Sequence, residues 1–230
     1  TLVPPVITTT LYFLIFGQLI GKRVGQMGGF DYMDYIVPGL ILMTVITNAY
    51  ANVSSSFYPT KFQRHIEEML ASPMPNWVIL SGYITGGVVR GMFTAAIVTG
   101  VALVFANVPM KHPLLMLIVV FLTAVLFSCA GFINACLARN FDDVSVVPTF
   151  ILTPLTYLGG VFYTVTLLPD GWRAVSFANP ILYMVNAFRF SVLGVSDIGL
   201  DVSLTLLVVF VAGFGWLSHW LLERGVGIKH

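Results

Sequence analysis

The sequence predicts an all-α polytopic membrane protein with six transmembrane helices, and two observations carry this prediction. Of its 230 residues, 57% are apolar and only 9% are charged, whereas soluble domains are roughly half apolar and a quarter charged. Long stretches nearly free of charge recur along the chain, and about 20 mostly apolar residues are enough to cross a bilayer as a helix. The net charge of +1 gives no electrostatic basis for nucleic-acid binding.

Six stretches are long and apolar enough to be membrane spans. They are residues 1–21, 35–58, 76–106, 113–137, 145–164 and 202–222. An even number of spans places both chain ends on one side of the membrane. Lysine and arginine divide five against five between the two sides, so the positive-inside rule does not orient the bundle.

We read residues 1–230 as a single transmembrane domain. Because the chain begins with Thr1 rather than Met and has no basic flank before its first apolar stretch, it lacks signal-peptide architecture, and we expect a native N-terminal segment to precede it. Cys129 and Cys136 stand about 10 Å apart along one predicted helix, too far for a disulfide. The four histidines are scattered, so no metal site is predicted.

The region between the fifth and sixth predicted spans is too polar to cross a membrane and too apolar for an ordinary loop. Breaks at Pro169-Asp170-Gly171 and at Asn179-Pro180 predict two short helices there. Non-helical backbone at membrane depth is tolerated only under cover of protein or water, so we expect a partly re-entrant helical hairpin. The alternative is an amphipathic loop lying on the membrane surface.

Charge is concentrated in one stretch, TKFQRHIEEMLASPMP, at residues 60–75. Thr60 with Gln63 fits a capping box, which predicts a helix over 61–71 that ends before Pro73. Its apolar face is formed by Phe62, Ile66, Met69 and Leu70. Its charged or titratable residues are Arg64, His65, Glu67 and Glu68. Anionic lipid would repel two adjacent glutamates, which favours docking to a protein partner over resting on the bilayer.

Polar residues form a stripe along each of two predicted spans. The stripe of span two recurs every four residues, at Thr44, Asn48, Asn52 and Ser56. The stripe of span five consists of Thr149, Thr153, Thr156 and the adjacent Tyr157, on a helix that Pro154 is expected to kink. Such stripes fit a translocation path, and they equally fit hydrogen bonds between helices, at about 0.6 kcal/mol per contact.

Span three carries a charge near its middle, Arg90, where burial in lipid costs at least about 2.5 kcal/mol. Arg90 must therefore face protein or water, and a static ion pair is favoured over a moving gate. Candidate partners on the side where span three begins are Glu67, Glu68 and Asp142. Two small-xxx-small pairs in the same span predict close approach of another helix: Gly82 with Gly86, and Gly87 with Gly91.

No motif in the sequence has catalytic spacing, so the chain is not predicted to be an enzyme. GQLIGK at 17–22 has three residues between its glycines instead of four, and Arg23 follows the lysine. This excludes a phosphate-binding P-loop. Neither a nucleophile elbow nor a zinc-protease motif is present.

Residues 147–189 resemble the fifth span and the following re-entrant region of type-2 ABC exporter permeases. The order of features agrees: a proline-bearing span, then Leu158-Gly159-Gly160, Leu168-Pro169, Asn179-Pro180 and Arg189. FQRHIEEMLASPMP resembles the family's coupling helix, and FDDVSVVPTF resembles its approach to span five. The resemblance extends over essentially the whole chain, and within the family it is to the bacterial YadH-like inner-membrane permeases.

This resemblance implies a multi-pass inner-membrane permease with six spans and both ends in the cytoplasm. The charged helix would be a cytoplasmic coupling helix, the hairpin would be extracytoplasmic, and spans two and five would line a path between the protomers of a homodimer. A separate ABC ATPase would bind ATP and magnesium, so this chain would hold no cofactor. The family's amphipathic N-terminal helix is not found in the sequence. The cargo stays open among drug-like molecules, lipids and glycans.

Two other functions compete with ATP-driven export. A secondary transporter would usually show inverted repeats and acidic residues within its spans, and no Asp or Glu lies deep in any predicted span. A membrane scaffold that transports nothing has the same composition as a transporter.

Overall fold

The computed structural model describes residues 3–227, and within that range the side chains of all residues except Gln18, Leu19 and Lys22. The described α-helices are α1 (Val3–Tyr12), α2 (Gly21–Val24), α3 (Tyr32–Phe62), α4 (His65–Ala71), α5 (Asn76–Phe105), α6 (Pro113–Leu137), α7 (Phe141–Val147), α8 (Thr153–Tyr157), α9 (Asp170–Phe177), α10 (Pro180–Leu193) and α11 (Leu200–Arg224). π-Helical stretches join α1 to α2 (Phe13–Ile20) and α7 to α8 (Pro148–Leu152), and a 3₁₀ turn covers Val165–Leu167. The all-α prediction is therefore confirmed for this part of the chain.

Four of the described helices are long and apolar enough to cross a membrane: α3, α5, α6 and α11. They coincide with predicted spans two, three, four and six. Predicted spans one and five are helical over only part of their predicted lengths, and each is divided by a π-helical stretch. The helix of span five ends at Tyr157, before the turn that contains Gly160 with its positive φ of 71°, so the predicted end at residue 164 is wrong. Thr1 and Leu2 of span one lie outside the described residues. Helix length alone thus does not confirm the count of six spans.

The π-helical stretch of predicted span five has a local cause in its prolines. Pro154 has no N–H to continue the α-helical ladder. Immediately before it, the Thr153 N–H donates to the Pro148 carbonyl five residues back. The Thr153 hydroxyl donates to the same carbonyl at 2.8 Å. The helix distortion predicted at Pro154 is therefore a π-helical turn that lies immediately before that residue.

Helix α3 forms the centre of the bundle, and the other long helices surround it. Of its most apolar window 67% is buried inside the protein, against 11% for α11. Glycines allow the closest approach: a Cβ added at Gly87 would lie 2.6 Å from Val53 Cγ2 and 3.1 Å from the Ala49 carbonyl. Gly91 packs on the same face, which confirms the prediction for this pair.

The other small-residue pair, Gly82 with Gly86, forms no such helix contact within the protomer. A Cβ added at Gly82 would meet no atom within 4 Å, and one added at Gly86 would lie 3.5 Å from Asn52 Oδ1. Here the sequence prediction is wrong for the protomer, because this face of α5 borders an open groove rather than a helix.

A β-hairpin distinguishes one end of the bundle. Strand β1 (Gln26–Met27) pairs antiparallel with β2 (Phe30–Asp31) across a two-residue turn. Gly28 and Gly29 both have positive φ, 60° and 82°, which is the combination that a type I′ turn requires. We refer to this end of the bundle as the hairpin end and to the opposite end, which carries α4, as the short-helix end.

The two short helices predicted between spans five and six are confirmed as α9 and α10. Both begin at the predicted breaks, and the Asn179 side chain caps α10 by accepting from the Ile181 N–H at 3.0 Å. Pro180 occupies the first position, where no N–H is needed. Most of α10 is buried, whereas α9 is largely exposed.

Candidate functional site

The charged helix differs from its prediction in where it begins. Helix α3 continues through Phe62, and the Thr60 hydroxyl donates to the Ser56 carbonyl at 3.0 Å inside it. The prediction of a capping box at Thr60 and Gln63 is therefore wrong. The chain turns at Arg64, whose φ is 61°, and α4 covers the seven residues His65–Ala71. The predicted end is confirmed, since Ser72 is extended before Pro73.

Helix α4 is anchored by one side chain and presents the others to the surroundings. Ile66 is completely buried (0% exposed) among Tyr58, Phe132 and Leu221. Leu70 is half-buried. Phe62 belongs to α3 and is 62% exposed, so the predicted apolar face is narrower than expected. The exposed charged or titratable residues are Arg64, His65, Glu67 and Glu68.

Lys61 fixes the junction of α3 and α4 to the end of α6. Its Nζ donates to the carbonyls of Cys136 at 2.6 Å, Ala138 at 2.7 Å and Ala135 at 3.3 Å. The last carbonyls of a helix have no partner within it and favour a cation. Sequence reasoning missed this role, because the partners lie about 75 residues away. The one local feature that could have indicated this role is the position of a lysine at the end of a predicted span.

Aromatic rings extend this anchored block to the start of α7. The Phe141 ring lies 4.8 Å from the Tyr58 ring and 5.3 Å from the Phe62 ring. Phe62 and Phe141 are both exposed. The ends of α3 and α6, the start of α7 and the whole of α4 therefore form one connected block at the short-helix end.

The polar stripe of α3 lies on the least buried side of that helix. Thr44, Asn48 and Asn52 are half-buried and Ser56 is exposed. Their hydrogen bonds stay within α3. Thr44 Oγ1 donates to the Ile41 carbonyl at 2.7 Å, Asn48 Nδ2 to the Thr44 carbonyl at 2.9 Å, and Ser56 Oγ to the Asn52 carbonyl at 2.7 Å. Each of these three bonds closes within one turn of the helix.

The stripe residues of the fifth segment, which we define as residues 141–157, differ in their burial. Thr149 and Thr153 are exposed, whereas Thr156 is buried and donates to the Thr153 carbonyl at 2.7 Å. The Tyr157 hydroxyl lies 3.0 Å from the Tyr12 hydroxyl of α1, which is a bond between helices. The hydrogen bonds of the described residues do not join the two stripes within the chain.

One groove connects the α3 stripe with the charged helix. It has a volume of about 400 Å³ and lies between α3 and α5. Asn52 and Ser56 line it, together with Met69 of α4 and the open glycines Gly82 and Gly86. A movement of α4 would therefore change the surroundings of two stripe residues directly.

Arg90 is half-buried in α5, fourteen residues beyond its start at Asn76. That separation corresponds to roughly 20 Å along the helix. The expected ion pair of Arg90 with Glu67, Glu68 or Asp142 stays a prediction.

A buried ion pair is found at Arg189, in α10. Arg189 is 1% exposed, and its guanidinium lies 3.8 Å from Asp197 Oδ2 and 4.0 Å from the centre of the Tyr35 ring. It also donates to the Gly160 carbonyl at 2.5 Å. Asp197 accepts from the Tyr35 hydroxyl at 3.2 Å. This network ties α10 and the residues after the fifth segment to the central helix α3.

Among the described residues, no three His, Cys, Asp or Glu side chains converge in a way that would hold a metal ion. The side chains grouped at the short-helix end are suited to binding a partner and moving with it. They include no paired nucleophile and base.

Comparison with known proteins identifies the family. Residues 1–193 match the family described as ABC-2 type transporter. The chain is 55% identical over 229 residues to the inner membrane transport permease YadH of Escherichia coli (strain K12), which covers 100% of this chain and 90% of the relative. It is 26% identical over 219 residues to nodulation protein J of Sinorhizobium fredii (strain NBRC 101917 / NGR234), covering 94% and 82%. This chain therefore belongs to the ABC-2 type transporter family, as a multi-pass inner-membrane subunit of an ABC transporter.

Proposed function

We propose that the chain is the permease of an exporter that moves its cargo out of the cytoplasm with ATP hydrolysed by a separate ABC ATPase. Two copies form the permease, and the path runs between them. Each copy crosses the membrane six times, with the segments at residues 3–24 and 141–157 completing the four long helices. The short-helix end faces the cytoplasm. Helices α9 and α10 form the re-entrant hairpin on the opposite side.

The observation that carries this proposal is the mechanical arrangement around α4. Ile66 anchors α4 in the bundle and Lys61 ties its base to α6, while Glu67 and Glu68 stay exposed. A rigid, acidic, solvent-facing helix is suited to receive force from a charged protein partner. Through the groove at Asn52 and Ser56, the same helix borders the candidate path.

The position of the stripes supports a path between two copies. A stripe that served only as glue within the protomer would be buried and bonded to other helices. Instead, most stripe residues lie on partly or fully exposed faces. Within residues 141–157, only Leu152 and Thr156 are buried. A helical segment so little covered is suited to pack against a second copy across a polar path.

The acids of the long helices support an ATP-driven function over a secondary transporter. In α3, α5, α6 and α11, they occur only within the first or last turn: Asp34, Asp201 and Glu223. None is placed at depth, where a coupling ion would be bound. The cargo class stays open among drug-like molecules, lipids and glycans.

The coupling role of α4 is tested by reversing its acidic charge. The double variant Glu67→Lys with Glu68→Lys keeps Ile66 and Lys61, so we expect a folded permease that copurifies with its co-expressed ABC ATPase at least tenfold less. Permease-dependent ATP hydrolysis should fall in parallel. Pull-down and phosphate release measure the two effects.

The matched control reverses two exposed acids at the hairpin end, Asp170→Lys with Asp201→Lys, and should leave both readings near wild type. Normal copurification and hydrolysis in the α4 variant would overturn the coupling role. Cargo movement by the permease alone in proteoliposomes would instead favour a secondary transporter.

A further inference from the structure

A large apolar cavity lies behind the fifth segment, on the side away from the candidate path. It has a volume of about 530 Å³ and is lined by α6, residues 141–157, α10 and α11, with one side chain from α3. It is open on one side, where its lining residues Leu137, Val146 and Ile151 are exposed. Apart from Tyr50, Asn134 and Asp143, every side chain that lines it is apolar. Its volume falls within the range of roughly 300–1,000 Å³ that is usual for small-molecule sites.

Helix geometry separates this cavity from the polar stripes. Ile151 and Leu155 line it from the fifth segment, whereas the stripe residue Thr153 stands between them in sequence. Two residues along a helix turn the side chain by about 200°, so the stripe and the cavity lie on opposite faces. The same holds on α3, where Tyr50 lines the cavity and Asn48 belongs to the stripe. None of the stripe residues lines the cavity.

The chemistry of the cavity indicates its occupant. An apolar cavity offers water too few hydrogen-bond partners to hold it, and instead binds apolar molecules. The surrounding helices α6 and α11 are apolar enough to cross a membrane, so the apolar molecules present at this depth are the acyl chains of membrane lipids. A chain that enters here would cover the face of the fifth segment that the protomer leaves unpacked.

The Tyr50 hydroxyl supplies a polar anchor point in an otherwise apolar wall. Tyr50 is 2% exposed, and among the described residues its hydroxyl makes no hydrogen bond, although the Asn134 side chain lies beside it. One N–H of the Asn134 amide donates to the Val144 carbonyl at 2.9 Å, and the remaining polar atoms of Asn134 are not in hydrogen-bonding geometry with the Tyr50 hydroxyl. A buried hydroxyl without a partner is costly, so a ligand that offers an acceptor here gains affinity.

The depth of this hydroxyl matches the polar end of a lipid chain. Asn134 lies within the last turn of α6, which ends at Leu137. The neighbouring Tyr50 hydroxyl is thus close to the interfacial layer of the bilayer, where the ester groups of a phospholipid begin. Beyond Asn134, the lining along α6 is apolar through Ala130 to Leu126.

We propose that this cavity binds one acyl chain of a membrane phospholipid, with its ester carbonyl accepting a hydrogen bond from Tyr50. The bound chain braces the fifth segment from behind, between α6 and α11. The site is separate from the export path and from the coupling helix. It therefore adds a structural lipid to the protein, independently of whether the proposed transport role holds.

The test uses purified permease in lipid nanodiscs that contain a phosphatidylethanolamine with a diazirine near the end of one acyl chain. After irradiation, peptide mass spectrometry locates the labelled residues. We expect labelling concentrated on the cavity-lining parts of α6 and the fifth segment. Ala130→Trp fills the cavity and should reduce this labelling at least fivefold. Tyr50→Phe keeps the cavity but removes the hydrogen bond, and should reduce it a few-fold.

The matched control is Ala96→Trp, which adds the same bulk at an exposed position of α5 and should label like wild type. If Ala130→Trp does not fold, Tyr50→Phe, which removes a single oxygen, still decides the question. Cavity labelling that survives both substitutions would overturn the proposal. Equal losses in Ala96→Trp would overturn it as well, since they would indicate labelling of the outer surface. No nucleotide or cargo enters the assay, so its result is distinguishable from a failure of the coupling role.

Discussion

Single residues at the two ends of the bundle hold together parts of the chain that are distant in sequence. At the short-helix end, the Lys61 ammonium satisfies three carbonyls at the end of α6. Near the hairpin end, Arg189 joins Asp197, the Tyr35 ring and the Gly160 carbonyl. In a chain where only 9% of residues are charged, each of these two cations joins groups from separate parts of the chain.

The tie at Lys61 is tested by Lys61→Met, which keeps the length and apolar stem of the side chain. Hydrogen bonds to a charged group are worth about 1.5–3 kcal/mol, so we expect a clear fall in the midpoint of thermal unfolding in detergent. The exposed lysine at the hairpin end offers the control, since Lys111→Met should cost less than about 0.5 kcal/mol. Equal stability of the two variants would contradict the role of Lys61.

At the scale of elements, some helices of the bundle are closely packed and others are not. Helices α3, α5 and α6 approach one another through glycines, most tightly at Gly87. The fifth segment buries only Leu152 and Thr156, and its helix is widened ahead of Pro154. The tightly packed helices form a rigid frame, and the loosely packed segment is the element best suited to move against it.

The tight approach at Gly87 is tested by placing leucine there. Gly87→Leu would drive its side chain into Val53 and the Ala49 carbonyl, and overpacking of this kind typically costs about 1–3 kcal/mol or more. We expect a large loss of thermal stability or of folded yield, read by size-exclusion chromatography after heating.

Gly82→Leu makes the same exchange on the same helix, where an added Cβ meets nothing within 4 Å. It should therefore leave stability nearly unchanged. Leucine favours a helix more than glycine does, so a loss in both variants would mean that bulk anywhere on this face of α5 is destabilising, and would refute the special close contact at Gly87.

At the scale of the whole molecule, polar side chains lie on exposed faces of the single chain. Thr149 and Thr153 are exposed on the fifth segment, and Asn52 and Ser56 border an open groove on α3. Polar groups facing lipid would be costly. A second copy that closes a polar path over these faces removes that cost, which is the physical reason for proposing a homodimer.

The homodimer is tested by crosslinking across the proposed path. Thr149→Cys in membranes should give a covalent dimer with a flexible bis-maleimide, seen as a doubling of mass on denaturing gels. The native Cys129 and Cys136 are both buried, so wild type should not react. Trp216→Cys, exposed on the outer face of α11, is the control. Dimer formation by the control alone would contradict a path lined by the fifth segment.

Local sequence patterns were enough to predict the elements that local chemistry determines. The apolar stretches located α3, α5, α6 and α11, and the Asn179-Pro180 break located the start of α10. Pro73 marked the end of α4. Helix capping and proline geometry act on residues only a few positions away, and membrane thickness sets the number of consecutive apolar residues in a span. These features can therefore be read from short stretches of the sequence.

Contacts between distant parts of the chain decided the rest, and no short pattern encodes them. Helix α3 continues past the capping box predicted at Thr60, and the next residue, Lys61, donates hydrogen bonds to carbonyls at the end of α6. Arg189 pairs with Asp197 and lies over the ring of Tyr35 on α3, and no pattern around Arg189 in the sequence encodes these contacts. The sequence by itself determined a helical membrane protein with a charged, protruding helix. Tertiary packing alone decided what anchors that helix and where the bundle leaves space, since both depend on helices meeting across the bundle.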